Sequence, residues 1–117
     1  MKRKSYIVVR HEFEGFHMYP GASSIDPRIS FLEDRHRHIF KVKTKIEVSH
    51  LDRELEFFLV KWNIATFIQS SEMNNKSCEM IAEDILGFVI SQYGSNREIE
   101  VTVSEDGESD GIVHYVP

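Results

Sequence analysis

The sequence predicts an α+β fold in which an antiparallel sheet with a long β-hairpin carries at least one helix packed on one face. Three patterns support this: strict apolar and polar alternation from His36 to Val48, a second alternating run over residues 97–104, and an apolar stripe at helical spacing between Ile81 and Tyr93. A strand face that alternates with period 2 needs a cover, and a helix with one wide apolar stripe can supply it.

Taken in order, residues 5–17 read as a strand with Ile7, Val9, His11, Phe13, Gly15 and His17 on one face. Residues 18–35 read as a loop carrying Pro20, Gly21 and Pro27, long for a compact domain and of the kind that often lines a site. From 36 onward His36, His38, Phe40, Val42, Thr44, Ile46 and Val48 share a face, while Lys41, Lys43, Lys45 and Glu47 point the other way. Ser49 to Arg53 supply a turn into a second apolar stretch, Leu55 to Ile68, so a long hairpin over 36–68 is expected. Phe57, Phe58, Leu59 and Val60 are contiguous, however, and fit either a strand buried on both faces or passage into a helix near Trp62.

After a polar break from Gln69 to Lys76, Ser77 is a fitting N-cap, with Glu79, Glu83 and Asp84 in the early turns where the helix dipole favours negative charge. Ile81, Ala82, Ile85, Leu86, Phe88, Val89 and Tyr93 form the stripe that lays this helix on the sheet, and Gly94 is the stop signal. In the next strand Ile99, Val101 and Val103 share a side, and the same parity places Glu105 on the apolar face at the strand end. Ile112 to Val116 form a last strand.

Composition fits one small domain spanning residues 1–117: 117 residues, 41% hydrophobic and 28% charged, suffice for one core and not for two. A net charge of −5, with lysines dispersed along a strand, argues against a nucleic-acid surface. No apolar run approaches the ~20 residues needed to span a bilayer. The start, Met-Lys-Arg-Lys-Ser, leads into a β-like stretch and not a signal-peptide core, so a cytoplasmic protein is expected. The single cysteine, Cys78, excludes an intrachain disulfide and fits a reducing compartment.

His36 and His38 are the functional signal. An i, i+2 pair on a strand turns both imidazoles to one face, and His17 from a neighbouring strand would complete a three-nitrogen metal site. Three ligands with a fourth position open suit zinc, although three imidazoles also accept nickel, copper or iron. The alternative reading is three separate histidines hydrogen-bonded within or beside a core.

Four ordered segments resemble the 6-pyruvoyl-tetrahydropterin and 6-carboxy-tetrahydropterin synthases of the tunnelling (T) fold. Phe13-Glu14-Gly15-Phe16-His17 resembles the first-strand motif that ends in a zinc histidine, and His36-Arg37-His38 resembles the family's His-Gly-His. Asn75-Lys76-Ser77-Cys78-Glu79-Met80-Ile81-Ala82 looks like the family's Asn-Pro-Thr-Ser-Glu-x-Leu-Ala helix start, and Val101-Thr102-Val103-Ser104-Glu105 looks like the strand ending in the pterin-anchoring glutamate. The resemblance spans most of the chain. It implies zinc on His17, His36 and His38, and Glu105 as anchor for a pterin- or purine-like ligand, since a carboxylate accepts two parallel hydrogen bonds from a guanidine-like edge. On its own residues Glu105 reads as a strand-end carboxylate. Glu79 reads as support for the helix start and is the second candidate for touching the ligand.

The departures are equally specific. The family's reactive cysteine precedes its His-x-His motif, where this chain has Phe31-Leu32-Glu33-Asp34-Arg35. The family's proton-relay Asp-His pair is missing too, because residues 54–75 contain neither aspartate nor histidine, and that segment looks too short for the helix the family places there. Loss of thiol and base together leaves no ready set of proton-moving groups. The expectation is a shortened, divergent member that keeps metal and ligand binding without the parent synthase reaction. The alternatives are an active zinc-dependent lyase of pterin or deazapurine biosynthesis, using Glu33, Asp34 or Cys78 instead, or a nucleotide-binding or structural protein without metal. By the same resemblance, the chain should assemble as a homo-oligomer through its exposed sheet edges.

Overall fold

The alternation in the sequence sets two 13-residue strands against each other, β1 (Ser5–His17) and β2 (His36–Val48). The structure, a computed structural model, describes residues 2–117. β1 and β2 pair antiparallel along their whole length, with Ser5 opposite Val48 and His17 opposite His36. Two further strands, β3 (Ile99–Glu105) and β4 (Ser109–Tyr115), complete an antiparallel sheet of order β1-β2-β3-β4. Asp106 and Gly107 turn β3 into β4 with φ of 55° and 75°, the positive values that tight hairpins require.

One face of the sheet is apolar. Val9, Phe40, Val42, Ile46, Ile99, Val101 and Val103 are buried on it, as their parity requires. Helix α3 (Cys78–Tyr93) covers β3 and β4, and helix α2 (Phe57–Gln69) lies over β1. In α3 the Ser77 hydroxyl accepts the Met80 amide at 3.1 Å, and Gly94 ends the helix at φ 99°. Its buried stripe is Cys78, Ile81, Ala82, Ile85, Leu86 and Val89. Phe67 of α2 stacks on Phe88 of α3 at 4.6 Å between ring centroids, tying the two helices together.

The long hairpin of this fold is β1–β2 and not residues 36–68. The stretch expected as its second arm is helix α2, begun where the Glu56 carboxylate accepts the Leu59 amide at 2.9 Å. β2 already pairs with β1 on one side and with β3 on the other, so no edge remains for a returning strand. The contiguous apolar run divides by helical geometry: Val60, Ile64 and Ile68 point inward at a spacing of four, while Phe57, Phe58, Leu59 and Trp62 are exposed. Residues 54–75 therefore do accommodate a helix.

The segment between the hairpin strands is less irregular than a loop. It forms a short helix, α1 (Ala22–Ile25), followed by a 3₁₀ segment, Pro27–Glu33, capped by the Asp26 carboxylate on the Arg28 amide. Among the described residues no helix is long and apolar enough to cross a membrane.

Candidate metal centre

The register of the hairpin builds the site. Because His17 stands opposite His36 and Gly15 opposite His38, the three imidazoles meet at the open end of β1 and β2 on the helix-bearing face. Their ring centroids are 4.5, 4.7 and 4.8 Å apart, with rings close to perpendicular. One nitrogen from each lies within 4.8 Å of the other two, the only group of three potential metal-ligating side chains this close among the described residues. Gly15 makes the floor: a Cβ there would stand 2.9 Å from the Phe40 ring, which packs directly beneath the histidines.

Each histidine is held from behind through Nδ1. His38 Nδ1 lies 2.7 Å from Asp106 Oδ2, His36 Nδ1 lies 2.7 Å from the Asp34 carbonyl, and His17 Nδ1 lies 3.5 Å from the Lys76 carbonyl. An outer acceptor on Nδ1 leaves Nε2 as the lone-pair nitrogen facing inward, the arrangement that orients metal-binding histidines. The Nε2 atoms of His36 and His38 are buried without a hydrogen-bond partner. Buried imidazole nitrogens are rarely left unsatisfied, and a cation with nitrogen preference fits the gap: three neutral imidazoles are the donor set of an open zinc site.

Asp106 was not singled out in the sequence; it lies in the turn that joins β3 to β4. Its carboxylate serves two groups, accepting the Ile39 amide at 2.9 Å through Oδ1 and facing His38 through Oδ2. The His38 hydrogen bond, then that amide, hold its pKa below the usual aspartate value. The third support comes from the segment ahead of α3. The Phe16 amide donates to Asn74 Oδ1 at 3.1 Å and its carbonyl accepts the Asn75 amide at 3.0 Å, which brings the Lys76 carbonyl to His17.

Glu105 ends β3 opposite Phe40 and meets the histidines. Its Oε1 is 3.3 Å from His17 Nε2 and its Oε2 is 3.9 Å from His38 Nε2. Glu79 sits in the first turn of α3 against β4, where its Oε1 would be only 2.7 Å from a Cβ on Gly111; none of its described contacts is to a histidine. Glycine at 111 is what lets the start of α3 lie this close to β4. His11 shares the face of His17 but stays outside the group, its pKa pushed down by burial and then by the Lys61 charge. Arg35 stacks over Phe16 and Arg37 reaches Glu14, so both are engaged on the outer side of the hairpin end.

The chain's one thiol is buried. Desolvation, followed by the charges of Glu105, Glu79 and Asp110, pushes the Cys78 pKa up to about 12, so it is protonated at neutral pH and is a poor nucleophile. At the other end of the sheet, a cavity of about 420 Å³ is lined by Ser49, Glu54, Tyr93 and Arg97 among others. There Glu54 is already bound by Ser49 at 2.6 Å and Arg97 at 3.0 Å.

No family model matches the sequence, and no curated protein matches it. Solved structures do match in fold. The chain is similar to the 6-pyruvoyl tetrahydropterin synthase of Plasmodium falciparum, at TM-score 0.71 and 16% identity over 98% of this chain and 100% of that one. The synthase of Caenorhabditis elegans aligns at TM-score 0.68 and 11% identity, covering 99% and 100%. The archaeosine synthase QueF-Like, in its apo form, aligns at TM-score 0.51 and 18% identity, covering 94% and 96%. At these identities the likeness establishes the fold, which is the tunnelling fold of the 6-pyruvoyl tetrahydropterin synthases: a four-stranded antiparallel sheet with helices on one face.

Proposed function

We propose that this chain is a divergent relative of the 6-pyruvoyl and 6-carboxy-tetrahydropterin synthases that binds zinc through His17, His36 and His38 and a pterin- or purine-like ligand through Glu105, with the parent synthase reaction lost. The observation that carries the reading is the convergence of three imidazoles whose Nδ1 atoms all face outer acceptors while two buried Nε2 atoms have no partner. Bound there, zinc would polarise an oxygen of the ligand or of a water molecule.

The chain's own residues account for binding better than for turnover. Asp106, together with the Asp34 and Lys76 carbonyls, fixes the imidazole rings. Glu105 offers a carboxylate, one-third exposed, to paired N–H donors at the edge of a flat heterocycle. Proton transfer at a ligand side chain would require a thiolate or a base. Cys78 is buried and protonated, and no cysteine precedes His36. Glu33 is tied to the Ser23 hydroxyl at 2.9 Å. These engagements weigh against the alternative of an active zinc-dependent lyase.

Assembly as a homo-oligomer fits the two unpaired sheet edges, β1 and β4, and the exposed Val8 and Ile112 beside them. The net charge of −5 fits a protein with no nucleic-acid partner, and a cytoplasmic place remains part of the proposal. The reading is tested by titrating the zinc-loaded protein with neopterin, followed by pterin fluorescence, and with guanosine, followed by calorimetry. Saturable binding that Glu105→Ala weakens at least about tenfold supports it. Binding unaffected by Glu105→Ala, or steady turnover of a pterin substrate by the wild type, overturns it in favour of the alternatives.

A further inference from the structure

Glu105 stands beside two of the three histidines, at the edge of the group that His17, His36 and His38 form without it. Around zinc, with bonds of about 2.0–2.2 Å to nitrogen and oxygen, neighbouring ligand atoms of a tetrahedron are roughly 3.3–3.5 Å apart. Glu105 Oε1 is already 3.3 Å from His17 Nε2, and Oε2 is 3.9 Å from His38 Nε2. Neither of these nitrogens is engaged from behind, because each ring uses Nδ1 for its outer acceptor. His38 Nε2 is buried with no hydrogen-bond partner, so the carboxylate near it does not satisfy it as an acceptor. The histidines converge from β1 and β2, and Glu105 approaches from β3, across the Phe40–Glu105 register pair.

We infer that the metal site is a four-ligand His₃Glu centre in the ligand-free protein, with Glu105 occupying the position that three histidines alone would leave open. This rests on the metal reading above and extends it: one carboxylate then serves either the metal or the ligand. A heterocycle with paired N–H donors has to draw Glu105 away from the metal before the open position of a reactive zinc site exists. A site closed by its own protein ligand is the form found in structural zinc centres.

Cobalt(II), which reports its coordination through visible d–d absorption, tests this on the full-length protein stripped of metal. The expected result has three parts. Wild type gives a four-coordinate spectrum that azide and acetate leave unchanged. Glu105→Ala binds cobalt more weakly by more than the roughly 10- to 100-fold that loss of an outer-sphere partner causes. Acetate then returns the variant's spectrum toward that of wild type by restoring a carboxylate oxygen. A wild-type spectrum that shifts on adding azide, or a Glu105→Ala spectrum and affinity equal to wild type, would overturn the inference while leaving the three-histidine reading intact. Wild type that binds no cobalt would overturn both. Should Glu105→Ala fail to fold, the azide titration of wild type decides alone.

Discussion

Asp106→Asn isolates the outer support of the proposed centre. The carboxylate does two separable things: Oδ1 accepts the Ile39 amide at 2.9 Å, and Oδ2 lies 2.7 Å from His38 Nδ1. Asparagine keeps an oxygen for the amide and tolerates the backbone at residue 106, where φ is 55°. It removes the negative charge from behind the imidazole, which makes His38 a less basic ligand. Losing such an outer partner lowers metal affinity by about 10- to 100-fold. The side chain of Asp106 is 44% exposed, so water screens part of its effect and the loss should fall near about tenfold. Zinc titrations in competition with a chromophoric chelator would measure it, with far-ultraviolet circular dichroism confirming an unchanged fold. The depressed pKa of Asp106 means that wild type holds this charge throughout the pH 6 to 8 range in which the titrations are made. Equal affinities for variant and wild type would show that His38 is not a metal ligand supported through Nδ1, and the account of the site would fail.

The other predictions concern the fold around the site. Gly15→Ala puts a methyl group 2.9 Å from the Phe40 ring, and overpacking of this kind costs about 1–3 kcal/mol; urea unfolding that leaves the midpoint in place would refute the close packing under His38. Ile64→Ala should lose about 2–5 kcal/mol while Leu59→Ala stays within about 0.5 kcal/mol, because Ile64 is buried and Leu59 exposed on α2; equal losses would contradict the helix. Glu98, held by Lys4, Tyr6 and His114, and Glu54, held by Ser49 and Arg97, both titrate at about 2 in the fold against 4.5 as the ordinary value. Their contribution is therefore fully present above pH 4.5 and fades as pH falls toward 2. Glu54→Gln combined with Glu98→Gln should flatten the acid limb of a pH-stability curve, and an unchanged limb would refute the assignment. Cys78, with its pKa at about 12, should resist alkylation by iodoacetamide at pH 8 until denaturant is added; rapid modification of the native protein would show that the thiol is accessible and ionised.

Much of the site was legible because strand parity is strict. A period of 2 fixes which side chains share a face, so His36 and His38 had to point together, and the same count along β1 brought His17 to that face. The parity of β3 placed Glu105 there as well. The boundaries of α3 were legible from Ser77 and Gly94, residues whose capping roles are local. The segment 55–68 was not, since a run of four apolar residues satisfies both periods. The discriminating signal was the four-residue spacing of Val60, Ile64 and Ile68, with Phe57, Phe58 and Trp62 left on the outside. Those aromatics fit either a core or a subunit interface by sequence, and in the single chain they are exposed. Asp106 and the Asp34 and Lys76 carbonyls escaped notice for a different reason. Their role depends on how the β3–β4 turn and the segment before α3 fold back on the hairpin end, and on backbone atoms whose identity the sequence does not encode.

The measurement that bears most directly on the central claim is metal content per chain by mass spectrometry, on untagged protein and on the His36→Ala/His38→Ala double variant at matched concentration. Wild type should carry close to one zinc per chain and the variant almost none, with both proteins folded. Wild type that stays free of metal after zinc is supplied, or a variant that retains it, would contradict a metal centre built from His17, His36 and His38.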